Sequence, residues 1–269
     1  MNWLLQRLSM SPNAYYSYRK HRKSALQKTK GAILRTISSL YHASDGTLGY
    51  RQMRDLLVGK GIRLSALTVH RYMNKELGLR SVTRRPRYRY VKGDDPKSVF
   101  RNLLDQDFRA KRRNEKWCID ITYIFFGKHL KRYNCTIIDL YDRRVVASEC
   151  SDRMNTDLAI ETVKAALASV GGETGMILHS DRGSQFTSDA FIGFCNDNGI
   201  TQSMSRPGYP YDNAPMERYF NTLKTERLYL HKYETEEQLY LAIRSYAFGW
   251  YNNLRPHSFN GGIPPAKVA

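Results

Sequence analysis

Three carboxylates in the second half of the chain have the residue type and the setting of a metal-binding site. Asp120 lies between two isoleucines in an apolar, strand-like run. Asp181 ends a second such run, and Glu217 lies near the start of a predicted helix. A carboxylate inside an apolar strand is costly to bury unless it is paired or bound to a metal ion. Carboxylate oxygens are also ligands that Mg²⁺ prefers.

Each acid also has a purely structural interpretation. Asp120 could face solvent, the Asp-Arg-Gly sequence at Asp181 is common in turns, and Glu217 could stabilise a helix N-terminus through the helix dipole. Three converging carboxylates, however, repel one another and take up protons unless cations hold them. A pair of Mg²⁺ ions would relieve the repulsion. Such a pair could activate a water or a 3′-hydroxyl on one side of a phosphodiester and stabilise the leaving oxygen on the other.

The sequence DNAPMERYFNTLKTE (212–226) predicts a helix that places Glu217 and Lys224 on one face. Asn213 is the predicted N-cap, and a proline stands among the first helical positions. Positions four and seven residues beyond Glu217 share its face. Lys224 therefore lies on the same face as Glu217, two turns further along the helix, and a solvated surface lysine is its purely structural interpretation.

The elements that position these acids follow from the hydrophobic pattern. From residue 117, three β-rich runs with short polar turns predict an antiparallel meander, and alternating helices and short strands follow. We expect an α/β layer fold with a mixed five-stranded sheet, in which a helical crossover returns the fourth strand beside the first. The predicted strands are 117–126, 130–141, 143–150, 175–181 and 200–205, and the predicted helices are 155–170, 188–199, 214–230 and 235–251.

Residues 46–80 predict a helix-turn-helix. Two helical stretches flank the sequence GKG (59–61), and Ser65 is the predicted cap of the second helix. A plain helical hairpin is the alternative. In the helix-turn-helix interpretation, the outward-facing side chains of the second helix would enter a major groove of DNA: Thr68, His70, Arg71 and Lys75.

Positive charge is concentrated in the first part of the chain. Residues 1–116 contain 27 Lys and Arg against 8 Asp and Glu, a net charge of +19, whereas residues 117–269 contain 16 against 17, a net charge of −1. This excess is more than solubility requires and favours a polyanionic partner, for which we expect double-stranded DNA. An anionic membrane surface or an acidic protein is the alternative.

The composition is that of an ordinary globular protein, with 41% hydrophobic residues and no run near the ~20 apolar residues that span a membrane. The start lacks a signal-peptide cleavage site, and the four cysteines lack the spacing of a zinc site or a disulfide framework, so we expect a cytoplasmic protein. We predict four segments: a basic helical segment (1–42), a helix-turn-helix region (43–80), a basic linker with a short helix at 102–108 (81–116), and a catalytic domain (117–269).

Four motifs, in this order, resemble those of D-D-35-E transposases, which are related to retroviral integrases. They are WCIDITYI (117–124), LHSDRGSQFTS (178–188), YDNAPMERYFNTLKTE (211–226) and YNNLRPH (251–257). Between Asp181 and Glu217 lie 35 residues, and Lys224 follows Glu217 by seven. The resemblance covers nearly the whole chain and is to the second-frame product of bacterial insertion sequences of the IS-three family.

The resemblance implies an RNase H-like catalytic core preceded by a small all-α helix-turn-helix region. It implies a transposase that carries out Mg²⁺-dependent cleavage at transposon ends and DNA strand transfer. Asp120, Asp181 and Glu217 would be the catalytic ligands of two Mg²⁺ ions, for which Mn²⁺ would substitute, and Lys224 would contact the end DNA. A homo-oligomer on nucleoid DNA and a first-frame transposase protein, separate or fused, are the implied partners.

Two other functions remain open at this point. One is a structure-specific nuclease of RNase H-like fold, such as a junction resolvase. The other is a DNA-binding regulator whose second domain is catalytically silent. Joining of a labelled 3′-end to a second duplex would distinguish a strand-transferring enzyme from both.

Overall fold

A computed structural model describes residues 1–82, 100–127 and 130–269, except for the side chains of residues 22–26 and 210. The chain forms two compact units, Met1–Val82 and Thr83–Ala269, and each is described here by itself. The predicted basic linker at 84–97 lies outside the described residues. Within the described part of the chain, no helix is both long and apolar enough to cross a membrane.

The first unit is helical. It contains α1 (Asn2–Arg7), α2 (Pro12–Ala43), α3 (Tyr50–Gly59) and α4 (Ala66–Arg71), which continues as a π-helical turn over Tyr72–Glu76. Gly61 at φ 79° lets the chain turn between α3 and α4, and the Ser65 hydroxyl accepts a hydrogen bond from Thr68 N at 3.1 Å. The predicted pair of helices and its cap are therefore confirmed. Its core is apolar: Leu5, Ile37, Leu48, Met53, Leu57, Val69 and Met73.

The second unit contains a mixed five-stranded sheet with β4 beside β1, as predicted, and its full strand order is β3-β2-β1-β4-β5. The first three strands form an antiparallel meander, and β4 and β5 run parallel to β1. The strands are β1 (Lys116–Phe126), β2 (Leu130–Asp139), β3 (Val145–Ser151), β4 (Ile177–Ser180) and β5 (Thr201–Met204). The helices are α5 (Thr156–Ser169), α6 (Asp189–Asp197), α7 (Ala214–Leu223) and α8 (Glu236–Arg244), and π-helical turns over Lys224–Leu228 and Ser245–Tyr251 extend the last two.

Helices cover both faces of the sheet, and β1 contributes alternate side chains to two cores. Trp117 and Ile119 pack in one core with residues of α5 and α6. Cys118 and Ile124 pack in the other core with residues of α7 and α8. Because successive side chains of a strand point to opposite faces, Asp120 shares the face of Cys118 and lies on the α7 side.

The predicted short helix at 102–108 is wrong, because these residues form turns. Asn102 Oδ1 accepts hydrogen bonds from Leu104 N at 3.1 Å and from Asp105 N at 2.9 Å. Asp105 and Gln106 have φ values of 42° and 64°, in the left-handed region. Asn side chains offer the backbone this alternative to a helix, and burial of Leu104 in the α7-side core holds the turn in place.

A candidate carboxylate site at one end of the sheet

Strand register places Asp181 beside Asp120. In the parallel pair of β1 and β4, Cys118 lies opposite His179. Continuing this register by two residues places Asp181, which directly follows β4, opposite Asp120. Partners in adjacent parallel strands point to the same face, so both aspartates belong to the face that α7 covers.

Helix α7 brings Glu217 to the same place. Glu217 lies in the first turn of α7, and the apolar side of this helix is buried in the core that Cys118 shares. The charge of Glu217 acts on Asp120, where it raises the carboxyl pKa. The structure thus brings together three acids that are separated by up to 97 positions in the chain.

Burial is the largest cause that raises the pKa of Asp120 well above its usual value. The charge of Asp181 adds to the rise, and the hydrogen bond from Ile121 N to Asp120 Oδ1 at 2.7 Å opposes it. Asp181 reaches solvent, yet the protein packed around its carboxyl raises its pKa too, against a 2.9 Å hydrogen bond from Gly183 N. The site therefore disfavours the charged carboxylates unless a cation compensates them.

The donor set fits a hard divalent cation. All three candidate ligands are carboxylates, and in the described part of the chain Oδ2 of Asp120 and of Asp181 has no hydrogen-bond donor. Within residues 1–82, 100–127 and 130–269, no group of three or more His, Cys, Asp and Glu side chains is close enough together to hold an ion as it stands. Coordination by all three acids would therefore require their side chains to close in around the ion.

Lys224 lies at the other end of the helix that carries Glu217, where the π-helical turn begins. Its Nζ is 5.0 Å from the centroid of the Tyr123 ring. Burial lowers the pKa of Lys224, and the negative charge of Asp120 opposes this change. The ammonium group is thus within electrostatic reach of Asp120.

Asp212 is a site residue that sequence reasoning missed. It is fully buried and accepts hydrogen bonds from Asn102 Nδ2 and Gln106 Nε2, each at 2.9 Å, and from Arg206 N, Nε and Nη2 at 2.9, 3.1 and 3.1 Å. Burial would raise the pKa of Asp212, but the hydrogen bonds from Arg206 and Gln106 outweigh it and hold the pKa well below its usual range. Asp212 thus fixes the loop that delivers Glu217. In the sequence, the position of Asp212 directly before a predicted helix was the only indication of this role.

Asn213 is the N-cap residue of α7, as predicted, but its side chain does not cap the helix by a hydrogen bond. Residues Pro210–Asn213 form a 3-10 turn that leads directly into α7, and Asn213 makes no side-chain hydrogen bond to the first helical turn. Its Nδ2 donates instead to Ile119 O at 3.4 Å, next to Asp120. The predicted start of the helix at Ala214 is confirmed.

The YNNLRPH motif (251–257) contacts the π-helical turn that follows α7, and it also contacts β3. Arg255 donates to both carboxylate oxygens of Glu226, with Nε–Oε2 and Nη2–Oε1 distances of 2.8 Å, and both side chains are largely buried. Asn252 Oδ1 accepts from Val145 N at 2.8 Å, and its Nδ2 donates to Val145 O at 2.9 Å. The motif therefore ties the last helix both to β3 and to the turn that carries Lys224.

In the first unit, the four predicted DNA-contacting residues differ in exposure. His70, Arg71 and Lys75 are exposed on the second helix of the pair. Thr68 is half-buried, with its hydroxyl 2.9 Å from the Ser65 hydroxyl at the cap, because it belongs to the capping turn. Three of the four therefore face outward as predicted, and Thr68 does so only in part.

Comparison with family models matches both units of the chain. A model described as HTH-like domain matches residues 29–87. Two models described as Integrase core domain match residues 110–210 and 198–265. The second match begins directly after α6, includes β5 and the loop held by Asp212, and reaches beyond the YNNLRPH motif.

The chain is also similar to individual proteins. It is 32% identical to the InsK protein of insertion sequence element IS150 from Escherichia coli, over 98% of this chain and 91% of that protein. It is 31% identical to the transposase of insertion sequence element IS904 from Lactococcus lactis, over 88% of this chain and 94% of that protein. Among solved structures, the HTLV-2 integrase catalytic core domain in complex with magnesium aligns with 19% identity and a TM-score of 0.40, over 58% of this chain and 94% of that chain.

Proposed function

The chain belongs to the integrase-core transposases of the IS-three family of bacterial insertion sequences, and from this premise we propose that Asp120, Asp181 and Glu217 form its catalytic site. The fold is RNase H-like, with a helix-turn-helix-like region before it. One observation carries the proposal: the β1–β4 register and the packing of α7 direct three carboxylates to one end of the sheet.

The reaction we propose is cleavage at the transposon ends followed by strand transfer. In each step an oxygen nucleophile, water or a 3′-hydroxyl, forms a bond to phosphorus while the bond to the leaving oxygen breaks. Two Mg²⁺ ions, when bound, would activate the nucleophile and stabilise the leaving oxygen. Asp120, Asp181 and Glu217 would hold these ions, and Mn²⁺ would substitute for Mg²⁺.

The other residues of the site position DNA or the acids. Lys224, placed beside Asp120, would bind a phosphate of the transposon end as a point charge. Arg71 and Lys75, exposed on the helix-turn-helix-like region, would contact duplex DNA, together with His70 and Thr68. A homo-oligomer on DNA and a first-frame transposase protein or fusion are the expected partners.

Substitution of each acid tests the proposal. Asp120→Asn, Asp181→Asn and Glu217→Gln should each reduce cleavage and joining by roughly 10³-fold or more, and the losses should not be additive because the acids act as one unit. Binding of end DNA should persist, since no residue that we assign to DNA contact changes. The measurement is joining of a labelled 3′-end to a second duplex with Mg²⁺, with Mn²⁺, and with Ca²⁺, which should support binding and little chemistry.

Glu161→Gln is the matched control, because Glu161 is an exposed acid that pairs with Lys164 on α5. It should leave joining unchanged. Near-normal joining by Asp120→Asn would show that the assigned site is wrong. Cleavage without joining in the wild type would favour a nuclease, and binding without either reaction would favour a silent regulator.

A further inference from the structure

Strand β1 continues beyond the part of it that β4 covers. β4 pairs with residues 116–118 only, whereas β1 pairs with β2 as far as Phe126. On the α7 side of this extension the side chains of Thr122, Ile124 and Phe126 are buried. On the other side Tyr123 is 54% exposed and Phe125 is 65% exposed. Two aromatic rings thus lie on the surface in the part of β1 that follows Asp120.

Two lysines hold their ammonium groups against the ring of Tyr123. Nζ of Lys224 is 5.0 Å and Nζ of Lys131 is 5.3 Å from the centroid of Tyr123. Lys131 Nζ is also 5.2 Å from the centroid of Tyr133, and Phe125 meets Tyr123 edge to face at 5.5 Å. Among the described side chains, no carboxylate forms an ion pair with either lysine. We refer to Tyr123, Phe125, Lys131, Tyr133 and Lys224 as the aromatic–lysine strip.

The strip lies close to the candidate carboxylate site but on the other face of β1. Tyr123 follows Asp120 by three residues, an odd number, so its ring faces away from the α7 side to which Asp120 belongs. Lys224 projects from the α7 side, yet its Nζ contacts the Tyr123 ring and acts electrostatically on Asp120, so it links the two faces. Among the described strands, β4 leaves one edge of β1 unpaired beyond Cys118. DNA that reaches the acids and passes over this edge would therefore meet the strip. The two lysines give this surface a positive charge, which complements a phosphate backbone.

Exposed aromatic rings next to unpaired lysines are the features with which proteins bind single-stranded nucleic acid. Unpaired bases stack on the rings while lysines contact the backbone, whereas the bases of a duplex already stack on one another. We propose that the aromatic–lysine strip binds a single-stranded segment of the DNA next to the scissile phosphate. A base would stack on Phe125, and Lys131 and Lys224 would contact the flanking phosphates. This inference rests on the proposed function of the carboxylate site, because it assumes that DNA reaches the acids.

The test compares two kinds of tail on one DNA duplex. The full chain, with Ca²⁺ in place of Mg²⁺, is titrated with end duplexes that carry a short oligo(dT) tail or a tail of abasic nucleotides of equal length. The two tails have the same phosphates, so a difference in affinity reports on the bases. Wild type should bind the oligo(dT) tail about tenfold more tightly, within the range that one stacked base provides.

Variants of the strip should separate base stacking from phosphate binding. Phe125→Ala should lose the preference for oligo(dT), and Phe125→Trp should keep it and show fluorescence quenching beyond that of the wild-type protein. Lys131→Ala should weaken binding of both tails equally. Leu241→Ala is the matched control, because Leu241 on α8 is also 65% exposed, and it should change neither affinity.

Three results would overturn the inference: equal wild-type affinity for both tails, an unchanged preference in Phe125→Ala, or no quenching in Phe125→Trp. A wild-type dimer that Phe125→Ala converts to a monomer would assign the strip to contact between copies of this chain, which also overturns it. Asp120→Asn separates this inference from the proposed function. It should retain the oligo(dT) preference while losing joining, so each property can fail without the other.

Discussion

Lys224 shows at the scale of one residue how a charge is kept available for a ligand. Its ammonium group rests against Tyr123, near Asp120, and in the described part of the chain it forms no ion pair with a carboxylate. A compact cation in this state can exchange its aromatic contact for a phosphate at little cost. This is the physical basis for assigning it to end DNA rather than to the metal.

Replacement of Lys224 should therefore affect DNA affinity rather than metal binding. Lys224→Ala should weaken binding of end DNA and reduce the slope of log affinity against log salt by about one unit, because one phosphate contact is lost. Lys224→Arg should keep much of the affinity. The measurement is end-DNA affinity over a range of salt concentrations, with Lys164→Ala, a lysine paired at the surface of α5, as the control. Identical curves for wild type and Lys224→Ala would mean that Lys224 is an ordinary surface residue.

Asp212 gives a prediction about stability at acid pH. Its pKa is lowered in the folded protein, so its ionised form stabilises the fold above the ordinary Asp pKa of about 3.9. That stabilisation is lost as the pH falls below this value towards the lowered pKa. Asp212→Asn should therefore cost about 2 kcal/mol at pH 7, and the difference from wild type should shrink as the pH falls below about 4. Thermal unfolding midpoints (Tm) over this pH range measure it.

The control is Asp105→Asn, which changes the exposed partner of the same arginine. Asp105 lies 3.5 Å from Arg206 Nη1 at the surface, and an exposed pair of this kind contributes little. Asn also tolerates the left-handed backbone that Asp105 adopts. A loss in Asp105→Asn equal to that in Asp212→Asn would contradict the assignment of Asp212 as the anchor of the loop.

At the scale of elements, the turn that follows α7 is fixed by a buried ion pair. The side chains of Glu226 and Arg255 are 11% and 13% exposed, and Tyr246 donates a further hydrogen bond to Glu226 Oε2 at 2.9 Å. π-helical turns such as Lys224–Leu228 are rare in proteins, and contacts from outside the turn stabilise this one. The ion pair thus holds the backbone from which Lys224 projects.

Replacing one partner of this ion pair should destabilise the protein more than replacing both partners. Glu226→Gln should lower the free energy of unfolding by about 3 kcal/mol, since the guanidinium of Arg255 stays buried without a counter-ion. The double variant Glu226→Met/Arg255→Met should be less destabilised than the single one. Urea unfolding of wild type and both variants gives the values. Additive losses in the double variant would show that the two residues act independently.

Sequence pattern was sufficient for the elements with strong periodicity and not for those set by tertiary contacts. The alternating apolar residues of β1 and the amphipathic α5 were predicted within a few residues, with Asn155 as the cap of α5. The turn at 102–108 and the buried Asp212 were not, because residues about a hundred positions apart determine both. The acids Asp120, Asp181 and Glu217 were selected from their neighbours in sequence, and their catalytic role stays a prediction.

At the scale of the whole molecule, the two compact units differ in charge. Residues 1–82 contain 15 Lys and Arg against 3 Asp and Glu, a net charge of +12, whereas most of the acids lie in the second unit. The first unit also has a buried core of its own, which is consistent with independent folding. Duplex binding and phosphodiester chemistry are therefore expected to be separable.

A fragment of residues 1–82 should bind duplex DNA without the second unit. Its affinity should fall steeply with salt, with a log–log slope of roughly −0.9 per phosphate neutralised. Arg71→Ala and Lys75→Ala should each reduce that slope, whereas Lys28→Ala, an exposed lysine of α2, serves as the control. Fluorescence anisotropy at several salt concentrations is the measurement. Absence of binding, or binding that does not respond to salt, would contradict the prediction.

The register of β1 and β4 also determines where this chain can change in length. Asp181 lies beside Asp120 because each acid is two residues beyond a paired position, Cys118 in β1 and His179 in β4. The total number of residues between the two acids has no direct role. Loss of a residue from the turn between α5 and β4, where Gly171 and Gly172 adopt positive φ, leaves the β1–β4 register unchanged. A residue lost within β4 turns Asp181 to the opposite face of the sheet. Insertions and deletions are therefore compatible with the site in the connections and incompatible with it in two short stretches of strand.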